Sequence, residues 1–179
     1  MKTTVVLGLL VSVLLVGCSV QPQQAAVPTV NWDDPAQIAL RTEVKHDEFK
    51  KVTEYRTPSV VRELWGGDIF IRGWKNDGET ETKIQIYVID NYAGEWRFYN
   101  SAYDSNGNKL SFQSIDRSVL SCRRGCTYSE HLAINVSKKY LQDNGSDGIR
   151  FKISGKAGET VKFVPAAFIK GFLSSIDKT

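Results

Sequence analysis

A two-residue alternation of apolar and polar side chains recurs between residues 68 and 164, and it restricts this chain more than any other feature. Successive side chains on a strand point to opposite faces, so alternation buries one face and wets the other, as an antiparallel sheet does. The segment "GDIFIRGW" is rich in strand formers, and "TKIQIYVID" sets Ile84, Ile86 and Val88 against Gln85, Tyr87 and Ile89. In "EWRFYNSAY", Trp96 and Phe98 oppose Arg97, Tyr99 and Tyr103. Asn106-Gly107 is a favoured pair for a tight hairpin turn, and "LSFQSID" returns with Leu110 and Phe112 against Ser111 and Gln113. "HLAINV" separates Leu132, Ile134 and Val136 from His131, Ala133 and Asn135, and "IRFKIS" separates Ile149, Phe151 and Ile153 from Arg150, Lys152 and Ser154. A turn at "GKAG" leads into "ETVKFV". About seven or eight short strands with turn signals between them predict a mainly β chain, an antiparallel β-sandwich.

Three segments depart from this period. "DDPAQIAL" predicts a short helix with Asp34 as N-cap and Pro35 at the first helical position. "SKKYLQDNG" reads as a helical turn ending at Gly145. "PAAFIKGFLSSIDK" places Phe168, Ile169, Phe172, Leu173 and Ile176 at helical spacing, which predicts a closing amphipathic helix packed on the sheet. Four Trp, eight Phe and seven Tyr supply a core, at roughly 1.5 to 3 kcal/mol per well-buried side chain.

The amino end has another character. Lys2 precedes Val5 to Val16, which is apolar apart from Gly8 and Ser12. That is the layout of a secretory signal, and it is too short for a membrane-spanning helix of about 20 residues. It ends in Leu15-Val16-Gly17-Cys18, which resembles the lipobox of bacterial lipoproteins. The resemblance implies diacylglycerol on the Cys18 sulfur, cleavage between Gly17 and Cys18, and acylation of the new amino terminus. By the same resemblance Ser19, not being aspartate, favours the outer membrane. Residues 1–17 are then a signal peptide and 18–31 a lipidated cysteine with a flexible tether. Residues 32–179 form a single domain. The tether, "SVQPQQAAVPTVN", is uncharged and spans at most about 40 Å when extended. Removing residues 1–17 leaves 162 residues with 22 basic and 20 acidic groups. Near neutrality and without blocks of like charge, the chain lacks the footprint of a nucleic-acid binder.

In "SCRRGC", Cys122 and Cys126 stand four apart, which in an exported protein reads first as a disulfide across a small loop. The alternatives are a metal site with His131 as third ligand, or a reactive thiol. His46 and His131 are the only histidines. Ser129 and His131 are spaced to share a strand face, whereas Glu130 between them points away. Asp104, Asp116 and Glu130 are carboxylates that no spacing forces together. Arg97, Tyr99 and Tyr103 on one outer face would make an aromatic platform for a glycan or peptide. Trp65, Trp74 and Trp96 add to the aromatic content, and the glycines of "WGGD" suit a turn or bulge. No phosphate-cradling loop and no nucleophile motif stands out, and no cofactor is implied. The expectation is a non-enzymatic, lipid-anchored envelope module that binds a protein partner. A glycan, peptide or small-ligand module is the alternative, and a hydrolase or metal enzyme around Cys126 and His131 comes third.

Overall fold

The computed structural model describes residues 30–60, 67–123 and 125–178. The lipobox, Cys18, the tether up to residue 29 and Trp65 lie outside them. The elements are α1 (Pro35–Arg41), β1 (Glu43–Asp47), β2 (Val52–Arg56), β3 (Asp68–Asn76), β4 (Lys83–Ala93), β5 (Tyr99–Asp104) and β6 (Lys109–Ser121). They continue as β7 (Thr127–Val136), α2 (Lys138–Asn144), β8 (Ile149–Gly155), β9 (Gly158–Val164) and α3 (Ala166–Ile176). The mainly β, antiparallel class is as expected. Among the described residues the strands number nine, and they form one sheet in the order β1-β2-β3-β4-β7-β6-β5-β8-β9 rather than two separate sheets. β1 escapes the alternation pattern because four of its five residues are exposed and no apolar face marks it.

The sheet is strongly curled. β4 and β9 are five strand spacings apart in the order, about 24 Å if the sheet were flat. Yet Lys162 Nζ on β9 lies 2.6 Å from Asp90 Oδ1 on β4. The concave face therefore closes around one apolar core of Tyr55, Ile69, Ile71, Ile86, Val88, Leu132, Ile134, Phe151 and Ile153.

The C-terminal helix fills that concavity. Phe168, Ile169, Phe172 and Ile176 of α3 are buried, and Ile38 of α1 joins the same cluster. The two helices approach closely because residue 171 is glycine: a Cβ there would sit 2.7 Å from Ile38 Cβ and 2.8 Å from the Pro35 carbonyl oxygen. α1 starts as expected, with the Asp34 side chain accepting from the Ala36 N–H and proline following. Ser137 caps α2 by accepting from the Tyr140 N–H. Among the described residues no helix is long and apolar enough to cross a membrane.

Candidate functional site

Cys122 and Cys126 are joined by a disulfide across the exposed β6–β7 turn, with Cα atoms 4.0 Å apart. Gly125 takes a φ of +101° inside that ring, a conformation suited to glycine. His131 turns elsewhere: its Nδ1 is 3.1 Å from the Tyr87 hydroxyl. Among the described residues no group of three or more His, Cys, Asp or Glu is placed to hold a metal ion. Asp104 organises the β5–β6 turn, accepting from the backbone N–H groups of Asn106 and Asn108, each at 2.9 Å. Asp116 is exposed on β6 and Glu130 is buried on β7, so these carboxylates do not share a site.

Arg97, Tyr99 and Tyr103 do not form the expected outer platform. A register shift between Tyr99 and Ser101 reverses the alternation of β5. Tyr99 is consequently 1% exposed and Tyr103 37% exposed. Arg97 and Tyr99 do meet, in the interior, where Arg97 Nη1 donates to the Tyr99 hydroxyl at 2.7 Å.

They belong to a buried ionic cluster that the sequence reading missed. Asp90 on β4 and Glu130 on β7 are directly opposite in register, 3% and 2% exposed. Like charges facing across a sheet repel, and an uncompensated buried carboxylate is costly. Both are compensated. Asp90 accepts from Lys162 Nζ at 2.6 Å, the Tyr99 hydroxyl at 2.7 Å and Arg97 Nη1 at 3.1 Å. Glu130 accepts from the N–H groups of Phe98 and Tyr99 at 2.9 and 3.0 Å, from Arg117 Nε at 3.0 Å, and from the Tyr92 hydroxyl through a short bond. Burial, and then the hydrogen bonds to these carboxylates, push the Tyr92 and Tyr99 phenols well above their ordinary range, so both remain donors. Burial works to lower the Arg97 pKa, but its bond to Tyr99 and the charges around it outweigh that and raise it. Half of the signal was legible: Asp90 and Glu130 occupy the apolar positions of β4 and β7, whereas on β9 Lys162 is buried and Val161 and Phe163 beside it are exposed, the reverse of what residue type predicts.

The cluster fixes the backbone of the β4–β5 connection. Phe98 has a φ of +50°, rare and strained for a bulky residue, and Glu130 holds the amides of residues 98 and 99. Gly155 completes the fit, since a Cβ there would lie 2.2 Å from the Arg97 carbonyl oxygen. Phe98 is thereby held outward at 41% exposure. Its ring stacks 5.8 Å from Trp96, which lies 4.3 Å from Tyr128. These three rings, with Glu95, Lys156 and Ala157, line a cleft of about 350 Å³.

A second constellation lies on the outer face of β1–β4. The Phe70 and Tyr87 rings stack at 4.9 Å, with the Arg56 guanidinium 4.0 Å from the Phe70 centroid and that of Arg72 4.3 Å from Tyr87. Glu43, Lys45, Glu54, Arg56, Phe70, Arg72 and Trp74 border a groove of about 450 Å³ there. Comparison with known protein families, curated proteins and solved structures finds no match to this chain.

Proposed function

We propose that this chain is a lipid-anchored lipoprotein of the bacterial envelope, held at the outer membrane through Cys18, whose folded body is a non-catalytic binding module. The Leu15–Cys18 motif and the uncharged tether behind it support the anchor. Two or three acyl chains hold a protein stably on a bilayer, where one does not. The observation that carries the binding role is Phe98: a buried ionic cluster spends its hydrogen bonds holding a strained residue whose ring faces solvent. Strain over-determined in this way collects at ligand clamps and contact sites. The carboxylates of that cluster are occupied by their own partners, which favours a scaffolding role for them over acid–base chemistry.

Mass spectrometry of the amino-terminal peptide tests the anchor. The expected product starts at Cys18, carries acyl mass and stays with membranes in high salt. Cys18→Ala is released or left unprocessed, and a wild-type protein recovered unmodified in the soluble fraction would end the reading. The contact role is tested separately by cross-linking to envelope proteins, with Phe98→Ala losing the cross-link at an unchanged melting temperature.

A second reading, glycan or peptide capture, is favoured by the ring faces of Trp96 and Phe98 standing beside the charged Glu95 and Lys156. Peptidoglycan fragments quenching tryptophan fluorescence in the wild type but not in Phe98→Ala would select it.

A further inference from the structure

Arg56 and Arg72 stand directly opposite each other on β2 and β3. A like-charged cross-strand pair is unfavourable unless something uses it. Acidic partners are close in register, Glu43 across from Arg56 and Glu54 across from Lys45. Elsewhere such neighbours close into ion pairs, as Lys152 does with Glu159 at 3.2 Å. Here both guanidiniums lie on ring faces instead.

Stacking occupies the flat face of a guanidinium and leaves its N–H edges free to bind an anion. Arg72 is further locked. Its Nε and Nη2 both donate to Gln85 Oε1, at 2.9 and 2.7 Å, and Gln85 Nε2 donates to Asn135 Oδ1 at 2.7 Å. Nη1 remains for a ligand. Among the described residues no hydrogen bond or ion pair engages the Arg56 guanidinium.

The surroundings narrow the ligand class. Lys45, Arg56 and Arg72 against Glu43 and Glu54 leave the groove with one net positive charge. A singly charged anion neutralises it, whereas a dianion would meet the two glutamates with charge to spare. A planar carboxylate matches the guanidinium edge, and the half-buried Trp74 offers apolar surface to the body that carries it. The volume is within the range of small-molecule sites.

We propose that this groove binds a small organic monocarboxylate, the carboxylate on the edges of Arg56 and Arg72 and its apolar body against Trp74. The inference goes beyond the envelope-anchor reading and depends neither on Cys18 nor on the Phe98 corner.

The test is calorimetric titration of the full chain in detergent micelles with benzoate, N-acetylalanine and inorganic phosphate, alongside tryptophan fluorescence. Saturable binding of benzoate or N-acetylalanine is expected, with a Kd of about 1 mM or tighter. Benzoate alone indicates an aromatic acid, and N-acetylalanine a peptide carboxyl terminus. Arg56→Gln, which removes no side-chain hydrogen bond among the described residues, weakens binding by at least about tenfold at unchanged melting temperature, and Arg56→Lys falls between. Trp74→Phe keeps the heat but loses the fluorescence change. The proposal is overturned if neither carboxylate saturates by about ten times that Kd. Binding that survives Arg56→Gln, or phosphate binding tighter than both carboxylates, overturns it equally.

Discussion

Asp90 on β4 and Glu130 on β7 face each other in register on the buried side of the sheet, and each takes its hydrogen bonds from a different set of donors. Asp90 is neutralised by side chains from the β4–β5 connection, β5 and β9, which ties the far edge of the curled sheet to its middle. Glu130 takes two of its four hydrogen bonds from backbone N–H groups, so it sets the path of the chain at residues 98 and 99. One carboxylate closes the sheet, and the other shapes a surface.

Glu130→Gln keeps the size of the side chain but removes the charge that Arg117 and two amides bind. Breaking a buried pair by removing one partner costs about 3 to 5 kcal/mol, and the retained amide oxygen places this variant toward the lower end. Urea unfolding should show the loss, and Phe98 should become mobile by NMR relaxation. A variant as stable as wild type would show that the cluster does not hold the corner.

Lys162→Met removes the link between β9 and β4, with Arg97 and the Tyr99 hydroxyl still on Asp90. The expected destabilisation is about 3 kcal/mol. A double-mutant cycle with Asp90→Asn should return a coupling of at least about 1 kcal/mol. Hydrogen exchange should quicken first in β9, the edge strand, and additivity of the two substitutions would count against the closure.

Alkaline pH should expose the buried phenols. Tyr140 is pushed up to about 12, first by burial and then by the Asp104 carboxylate. A tyrosine in the unfolded chain ionises near 10, so the fold favours the neutral phenol. Its stabilisation is complete below about pH 10 and lost as pH rises through about 12. Tyr92 and Tyr99 shift in the same direction. Tyrosinate absorbance near 295 nm should therefore rise with the loss of circular dichroism rather than ahead of it. Tyr140→Phe should cost about 1 kcal/mol at neutral pH and flatten part of the alkaline decline.

The Cys122–Cys126 ring is small and exposed. Chain-entropy arithmetic for a five-residue loop gives about 2 kcal/mol, so Cys122→Ser with Cys126→Ser should lower stability by no more than that and leave the sheet intact. A thiol count on native protein should find neither sulfur free, and two free thiols would refute the bridge.

The alternation in "TKIQIYVID", "HLAINV" and "IRFKIS" made the β class and the inner faces of β4, β7 and β8 legible, because burial of one face is a local, period-two property. Caps and turns were legible for the same reason: Asp34, Pro35 and Asn106-Gly107 act within a few residues of themselves. β1 was not, since its side chains are mostly exposed and carry no period. The bulge that parts Tyr99 from Tyr103 left no mark in residue type, so parity misplaced the platform.

Composition and period by themselves determined that this chain makes an antiparallel sheet with a helix to cover it, and that Cys122 and Cys126 are near enough to bridge. Only the tertiary structure decided that the sheet curls around one core, that Lys162 crosses it to reach Asp90, and that Arg56 and Arg72 share a groove. The reason is range. Side-chain alternation and capping act between near neighbours in the chain, whereas the curl and its ion pairs join residues far apart in sequence, and those contacts exist only once the strands have found their order.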